Sequence, residues 1–516
     1  MPGWPMKGHK VRLIGVGILM LITGLSCQLT SPRPASWAGT PTAEARSTQI
    51  ALTQAAQAGP GTFVFTPTSS PTEVVATPTP TPTATPEPVE NGPWLVFPAP
   101  DGDGLQTYDL ASGVVGAINL PEPVIIEDLV SGLSPDGRTL ILRAGSYLNT
   151  DELALYQIDL PAFEAHSLTP LLSIPVQRKI INQEGDLVFD TLAAVTRPDG
   201  LAWSPEGRFL AFNAALHNET SDFYALDTRN DRIIRLNGLL SQNASPFWSP
   251  QDDWLISQEL NKDPETDRWR AELVTGMSVL RFDNQNTLYR PPANSQEEVF
   301  VGWLNPNTFM SYSQTNTGPQ QLRQVNLENG PQAKLIIDGS FHEVAFDPAT
   351  GVLAYILRYE DAIPQDLSGG IYRLMPHSPV RILQSTGYWD AIRWDSGGMF
   401  VASGSQGVTL FTPDGDSLLV PNISNASVSP NGNWLIGYGD GSRSDAGARL
   451  YQTGSNHPLQ TLITTPVDAL FWQPDSQGFL ILSEGILYHH TFPRLSPNEL
   501  MSGLPQDANF ELIWVE

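Results

Sequence analysis

The chain has 516 residues, with 28 Lys and Arg against 54 Asp and Glu, a formal charge of −26. Nucleic acid and anionic membrane surfaces would repel it, because both are bound through cationic patches that displace counterions. Gly (43) and Pro (45) are abundant and 41% of residues are apolar, which suits many short strands and turns better than long helices. A single cysteine, Cys27, excludes an intramolecular disulfide and any CxxC metal or redox site.

The first segment reads as an export signal. Lys7, Lys10 and Arg12 precede a 13-residue apolar run, Leu13 to Leu25, and Ser26-Cys27-Gln28 then opens polar sequence. A basic start, a short apolar middle and a small residue at the break are the three parts of such a signal. The run is shorter than the roughly 20 residues that span a bilayer as a helix. The segment Thr23-Gly24-Leu25-Ser26-Cys27 resembles the lipobox of bacterial lipoproteins. That resemblance implies cleavage after residue 26, acylation of Cys27 as the first mature residue, and a membrane partner held through that lipid.

Residues 27–90 are expected to be a disordered stalk. From Thr66 to Glu90, 15 of 25 residues are Pro or Thr. Alternating Pro removes amide donors and fixes φ, so a polyproline-type rod is expected, roughly 75 Å long at about 3.1 Å per residue.

Residues 91–516 carry a repeat of apolar strand, polar turn and apolar strand. It is written Gly132-Leu-Ser-Pro-Asp-Gly-Arg-Thr-Leu-Ile-Leu142, Leu201-Ala-Trp-Ser-Pro-Glu-Gly-Arg-Phe-Leu-Ala-Phe212 and Phe247-Trp-Ser-Pro-Gln-Asp-Asp-Trp-Leu-Ile256, with looser copies further on. Pro presets the first corner, Asp or Asn caps the turn, and Gly takes the left-handed position. The anchors Leu133, Trp203, Trp248, Trp303, Phe346, Trp394, Val428, Trp472 and Trp514 return about every 45 residues, the period of a propeller blade array. One step, to Trp203, is long (70 residues) and one, to Val428, is short (34), so the count stands at eight or nine blades. Intervening runs such as Ala154–Leu160, Phe223–Thr228, Arg232–Leu236 and Gln321–Leu327 supply further strands. The chain stops on a half-repeat, Ile513-Trp-Val-Glu516, and the body begins on its complement, Asn91-Gly-Pro-Trp-Leu-Val-Phe97. An all-β, single closed propeller of four-stranded blades is expected, with one blade built from both ends. The Ser-Pro-Asp-Gly repeats resemble those of TolB-like periplasmic proteins over residues 91–516, which implies the same fold and an extracytoplasmic setting.

The search for chemistry finds no catalytic set, cofactor fingerprint or metal motif. No HExxH, GxSxG, P-loop or dinucleotide pattern occurs. The aromatic row is read as packing between blades. Asp136, Glu206, Asp252, Asp347, Asp395 and Asp475 recur near equivalent turn positions and are read as local turn caps rather than cation ligands. Asp101-Gly-Asp-Gly104 and Asp414-Gly-Asp416 lack the distant bidentate Glu of a calcium loop and read as hairpin turns. His489 and His490, adjacent on a strand, are expected on opposite faces. The segments Leu171–Arg197 and Asn261–Arg290 are expected as loops decorating one rim, where a protein or glycan ligand would bind. The expected function is a lipid-anchored binding or scaffolding module at the cell envelope, on the outer face of the cytoplasmic membrane or facing the periplasm. A glycan or polyanion lyase, or a hydrolase, is the alternative.

Overall fold

Short apolar strands separated by tight polar turns can bury their side chains only by stacking sheet on sheet, and the computed structural model shows that solution. It describes residues 92–515 except 101–103, 149–151, 237–241, 263–268, 282–286, 290–297, 316–317, 376–379, 396, 440–445 and 507–509. Cys27, the signal and the stalk lie outside the described residues.

The body is an all-β propeller with nine blades. Blade 3 shows the plan. Leu201–Trp203, Phe209–Ala214, Asp222–Asp227 and Arg232–Arg235 form an antiparallel meander, strands a to d. Blades 4 to 9 repeat it, their a strands being Asn243–Trp248, Glu298–Asn305, Glu343–Phe346, Trp389–Asp395, Asn425–Val428 and Ala469–Trp472. In blade 2, strand a is reduced to the single bridge Leu133↔Leu140 beside Thr139–Ala144, Ala154–Asp159 and Glu164–Pro170. Blade 1 contains Trp94–Pro98, Leu105–Asp109 and Val115–Ile118, and Ile513–Val515 pairs with Trp94–Pro98 in the register Trp94↔Val515, Leu95↔Trp514, Val96↔Ile513.

Eight of the sequence anchors therefore fall one to each of blades 2 to 9, on strand a or, for Leu133, on its remnant, and Trp514 lies on the strand paired with Trp94–Pro98. The b strands are buried along most of their described length, while the described d strands are largely half-buried or exposed. The core accordingly lies between blades. Phe209, Phe223 and Leu236 of blade 3, for example, pack with Trp248, Leu255 and Leu280 of blade 4.

The irregular steps have local causes. The 70-residue step hides no further blade. It holds two helices, Ile174–Ile181 and Asp186–Val195, between blades 2 and 3. Leu171, Leu172, Val176, Ile180 and Val195 bury against both blades, so the expected decorating loop is instead a packed insert. The second expected loop, Asn261–Arg290, is largely strand, because blade 4 extends Trp254–Lys262 and Trp269–Arg281 into a long ribbon. Among the described residues no helix is long and apolar enough to cross a membrane.

Candidate functional site

Every meander of this hand puts the a–b and c–d turns at one rim and the b–c turns and blade-to-blade crossings at the other. The two rims differ in chemistry.

The first rim carries the repeat turns, many of whose polar groups bond within the turn itself. Buried serines clamp four of the hairpins, a role the sequence reading missed. Ser134 Oγ accepts the Thr139 N–H (3.0 Å) and donates to Asp136 Oδ1 (2.7 Å), which also accepts the Arg138 N–H. Ser204, Ser249 and Ser429 repeat the clamp on Phe209, Trp254 and Trp434. Asp347 and Asp395 occupy this serine position, not the turn corner. Asp347 accepts from Ala349 N and Thr350 Oγ1, and Asp395 from Gly397 N and Val428 N. Asp475 caps Gln477 N at 2.8 Å, and Asp414-Gly415 forms the turn between Gly407–Phe411 and Ser417–Pro421. The segment 101–103 lies outside the described residues. Turn capping thus explains these acids, and no group of three His, Cys, Asp or Glu side chains able to hold a metal occurs among the described residues.

Asp252 differs. It stands at the left-handed corner (φ 59°) that Gly137, Gly207, Gly398 and Gly432 take in other repeats. Its carboxyl hydrogen-bonds the Ser204 side chain and the Glu206 N–H of the preceding blade. Ser476 holds the same corner (φ 60°) and likewise accepts the Asn431 N–H, at 3.1 Å. Burial, then the nearby Glu206 carboxylate, push Asp252 up to about 7. An acid whose folded value is raised contributes stability below its unfolded value, near 4, and that contribution is lost as pH climbs towards 7. Asp252→Asn keeps an acceptor and tolerates the left-handed corner. Thermal melts should show it level with wild type near pH 4 and more stable by about 2–4 kcal/mol at pH 8. An equal difference at both pH values would refute this account.

Aromatic packing between blades is also seen in detail. Trp203 Nε1 donates to Gly132 O (2.8 Å) and Trp248 Nε1 to Ala202 O (3.0 Å), each reaching the carbonyl just before the previous anchor. Where blade 9 meets Ile513–Val515 a cleft of about 270 Å³ is lined by Pro93, Gln473, Pro474, Asp475 and Trp514. His489 lies on this side beside Trp514 (6.3 Å), whereas His490 stacks on Phe479 (4.9 Å) towards blade 8. The two rings take opposite faces, as the strand period requires.

The second rim bears the insertions and the clustered titratable groups. On blade 3, His217 Nδ1 is 2.9 Å from the Tyr224 hydroxyl, and Arg235 Nη2 donates to Asp222 Oδ2 at 2.5 Å. Burial pushes Asp222 up to about 6 against the pull of Arg235. Asp222 and Tyr224 are fully buried, so this network fixes the Leu216–Ser221 corner and offers a ligand nothing.

The other cluster is open. It lies where blades 6 and 7 meet, at the start of their innermost strands. Arg358 ends strand b of blade 6, just before the short helix Tyr359–Ala362. Its Nη2 is 2.7 Å from His342 Nε2, and its guanidinium lies over the Tyr388 ring at 6.0 Å. His342 Nε2 is also 3.0 Å from the Asp390 carbonyl. Burial, then Arg358, lower the His342 pKa, so a neutral ring sits between the Arg358 guanidinium and the Asp390 carbonyl. Glu343 reaches across to accept the Ile392 N–H (2.7 Å), tying the two blades together. Burial raises Glu343 and Asp361. Tyr359 is 69% exposed and Tyr388 52%, with Ile363 exposed beside them. Sequence reading finds no metal pattern around His342 and marks none of the other residues, which sit in different places of the repeat and share no spacing.

No family model matches the sequence, and no curated protein matches it. Among solved structures, the chain is similar to a eukaryotic initiation factor, at 12% identity and a TM-score of 0.52, over 82% of this chain and 98% of that one. Weaker likenesses are to dipeptidyl peptidase 4 of Porphyromonas gingivalis (14% identity, TM-score 0.42, 78% of this chain and 65% of that one) and to an oligogalacturonate lyase in complex with manganese (15%, 0.35, 57% and 88%). At these identities the likeness concerns the fold alone.

Proposed function

We propose that the chain is a lipid-anchored, extracytoplasmic binding module of the bacterial cell envelope. In this reading a closed nine-bladed ring, completed by a blade drawn from both chain ends, stands on a Pro/Thr stalk and takes its ligand at the rim that bears the insertions. The observation that carries the binding reading is the contrast between the rims. One carries the repeat turns and a small cleft beside Trp514, and the other exposes Tyr359, Tyr388 and a polar cluster. The pairing of Ile513–Val515 with Trp94–Pro98 supports closure. The basic start, the apolar run and Ser26-Cys27 support export and acylation, and the repeat turns support a TolB-like relationship.

An enzyme would need a base free to take a proton. His342, the one histidine of the open cluster, has its Nε2 hemmed in by the Arg358 guanidinium at 2.7 Å and the Asp390 carbonyl at 3.0 Å, which favours binding over catalysis. The anchor is tested by mass spectrometry and fractionation. Mature protein should begin with an acylated Cys27, and Cys27→Ser should move the chain from membrane to soluble fractions. An unmodified wild-type chain beginning elsewhere sinks the anchor. Co-purification from native membranes, compared between wild type and Tyr388→Ala, tests the rim. Equal recovery of every partner would remove it as the binding face.

A further inference from the structure

Among the described side chains, Tyr359 and Tyr388 are the only exposed aromatics of the propeller. The remaining described Trp, Phe and Tyr side chains are at least partly packed between blades. Both belong to one spot on the rim, on either side of Arg358, the first following it in sequence and the second lying under its guanidinium.

Arg358 is not ion-paired. Arg143, Arg197, Arg208, Arg235, Arg323 and Arg393 each have a carboxylate within 4.0 Å. Arg358, like Arg373 and Arg381, has none among the described residues. It is held by a neutral imidazole and an aromatic face, and its Nε finds no hydrogen-bond partner. Yet Glu343, Asp361 and Asp390 stand close enough for charge to be felt across the group.

This mixture selects the charge of a ligand. With Glu360 beside Asp361, four carboxylates surround one guanidinium and disfavour an anion. A neutral molecule suits the group if it can donate to carboxylates, accept from a guanidinium, and lay an apolar face on tyrosine. A hydroxyl is both donor and acceptor, so adjacent hydroxyls can bridge Arg358 and Asp390 or Asp361. The C–H face of a sugar ring would lie on Tyr388 or Tyr359. Resting on the reading of this rim as the ligand side, we infer that the Arg358–Tyr388 group is a binding site for a neutral saccharide.

The test uses full-length protein in detergent, titrated calorimetrically with maltohexaose, cellohexaose and chitohexaose, and separately with a sulfated glycan. At least one neutral hexasaccharide should bind. Tyr388→Ala and Arg358→Gln should each weaken it by roughly tenfold, one hydrogen-bonding or stacking contact's worth. Leu148→Ala, an exposed residue of the same rim on blade 2, should leave affinity unchanged. Melting curves matching wild type establish that the variants are folded. Conservative Tyr388→Phe should keep binding, since stacking needs only the ring. Failure of all three neutral probes, preference for the sulfated glycan, or unchanged affinity in both rim variants overturns the inference. Because Cys27→Ser should bind the sugar as well as wild type does, loss of the anchor and loss of the saccharide site are separate outcomes.

Discussion

Deleting Phe510 to Glu516 should unfold most of the propeller at the temperature where wild type is stable. Phe510, Leu512, Ile513 and Val515 are buried against Leu95, Phe97, Leu480 and Leu482 on one side and against Val96, Leu140 and Leu142 on the other. Each such side chain contributes about 1.5–3 kcal/mol, so the sum rivals the whole stability of an ordinary domain, about 5–15 kcal/mol. The deletion also strips Trp94–Pro98 of its inner neighbour and leaves an unpaired edge open to association. Ile513→Ala is the milder version and should cost about 2–5 kcal/mol. Chemical denaturation measures both. A truncated chain with an unchanged midpoint would mean that the ends do not complete a blade and that the ring is not closed.

The second large effect is expected at Arg143, which no motif marks. Its guanidinium is fully buried and makes a two-point contact with Asp128 (2.8 and 2.6 Å), whose carboxylate also accepts the Arg143 N–H. Its remaining donors go to Val195 O and Arg197 O, both at 2.6 Å, at the end of the inserted helix Asp186–Val195. Carbonyls at a helix C-terminus lack intrahelical donors and attract a cation, so this side chain fastens the insert to blade 2. Gly200 leaves the room, since a Cβ there would meet Arg143 Nη1. Arg143→Met should cost about 3–5 kcal/mol, because Asp128 loses its buried counter-ion and hydrogen-bond donors and is left unpaired or forced to take up a proton. Adding Asp128→Asn should recover part of that loss. Hydrogen exchange over residues 174–197 should rise in the single variant well below the global melting point. A loss under about 1 kcal/mol with protection intact would show that apolar packing alone docks the helices.

The blade array was legible because its signal is chemical and repeated. Trp203-Ser-Pro-Glu-Gly207 needs Pro, an acceptor and Gly for the turn whatever surrounds it, and the half-repeats around Trp94 and Trp514 follow from the same rhythm. The helical insert was partly legible. Leu171, Leu172, Val176 and Ile180 mark a buried helical stripe, but the long step drew the eye to a loop. The serine clamp was visible as a constant residue and overlooked, because Pro and Gly explain a turn so readily. The open cluster could not be read. His342, Arg358, Tyr388 and Asp390 come from the start of one inner strand, the end of its neighbour and the start of the next blade. Only the stacking of blade 6 on blade 7 makes them adjacent.

Residue 92 joins the propeller beside Trp94, at the end of its strand paired with Val515, which is the level of the Gln473–Asp475 turn. That is the rim of the repeat turns. Tyr359 and Tyr388 stand at the opposite rim, one strand length away, so the point where the chain enters the propeller and the exposed tyrosines occupy different ends of the blades.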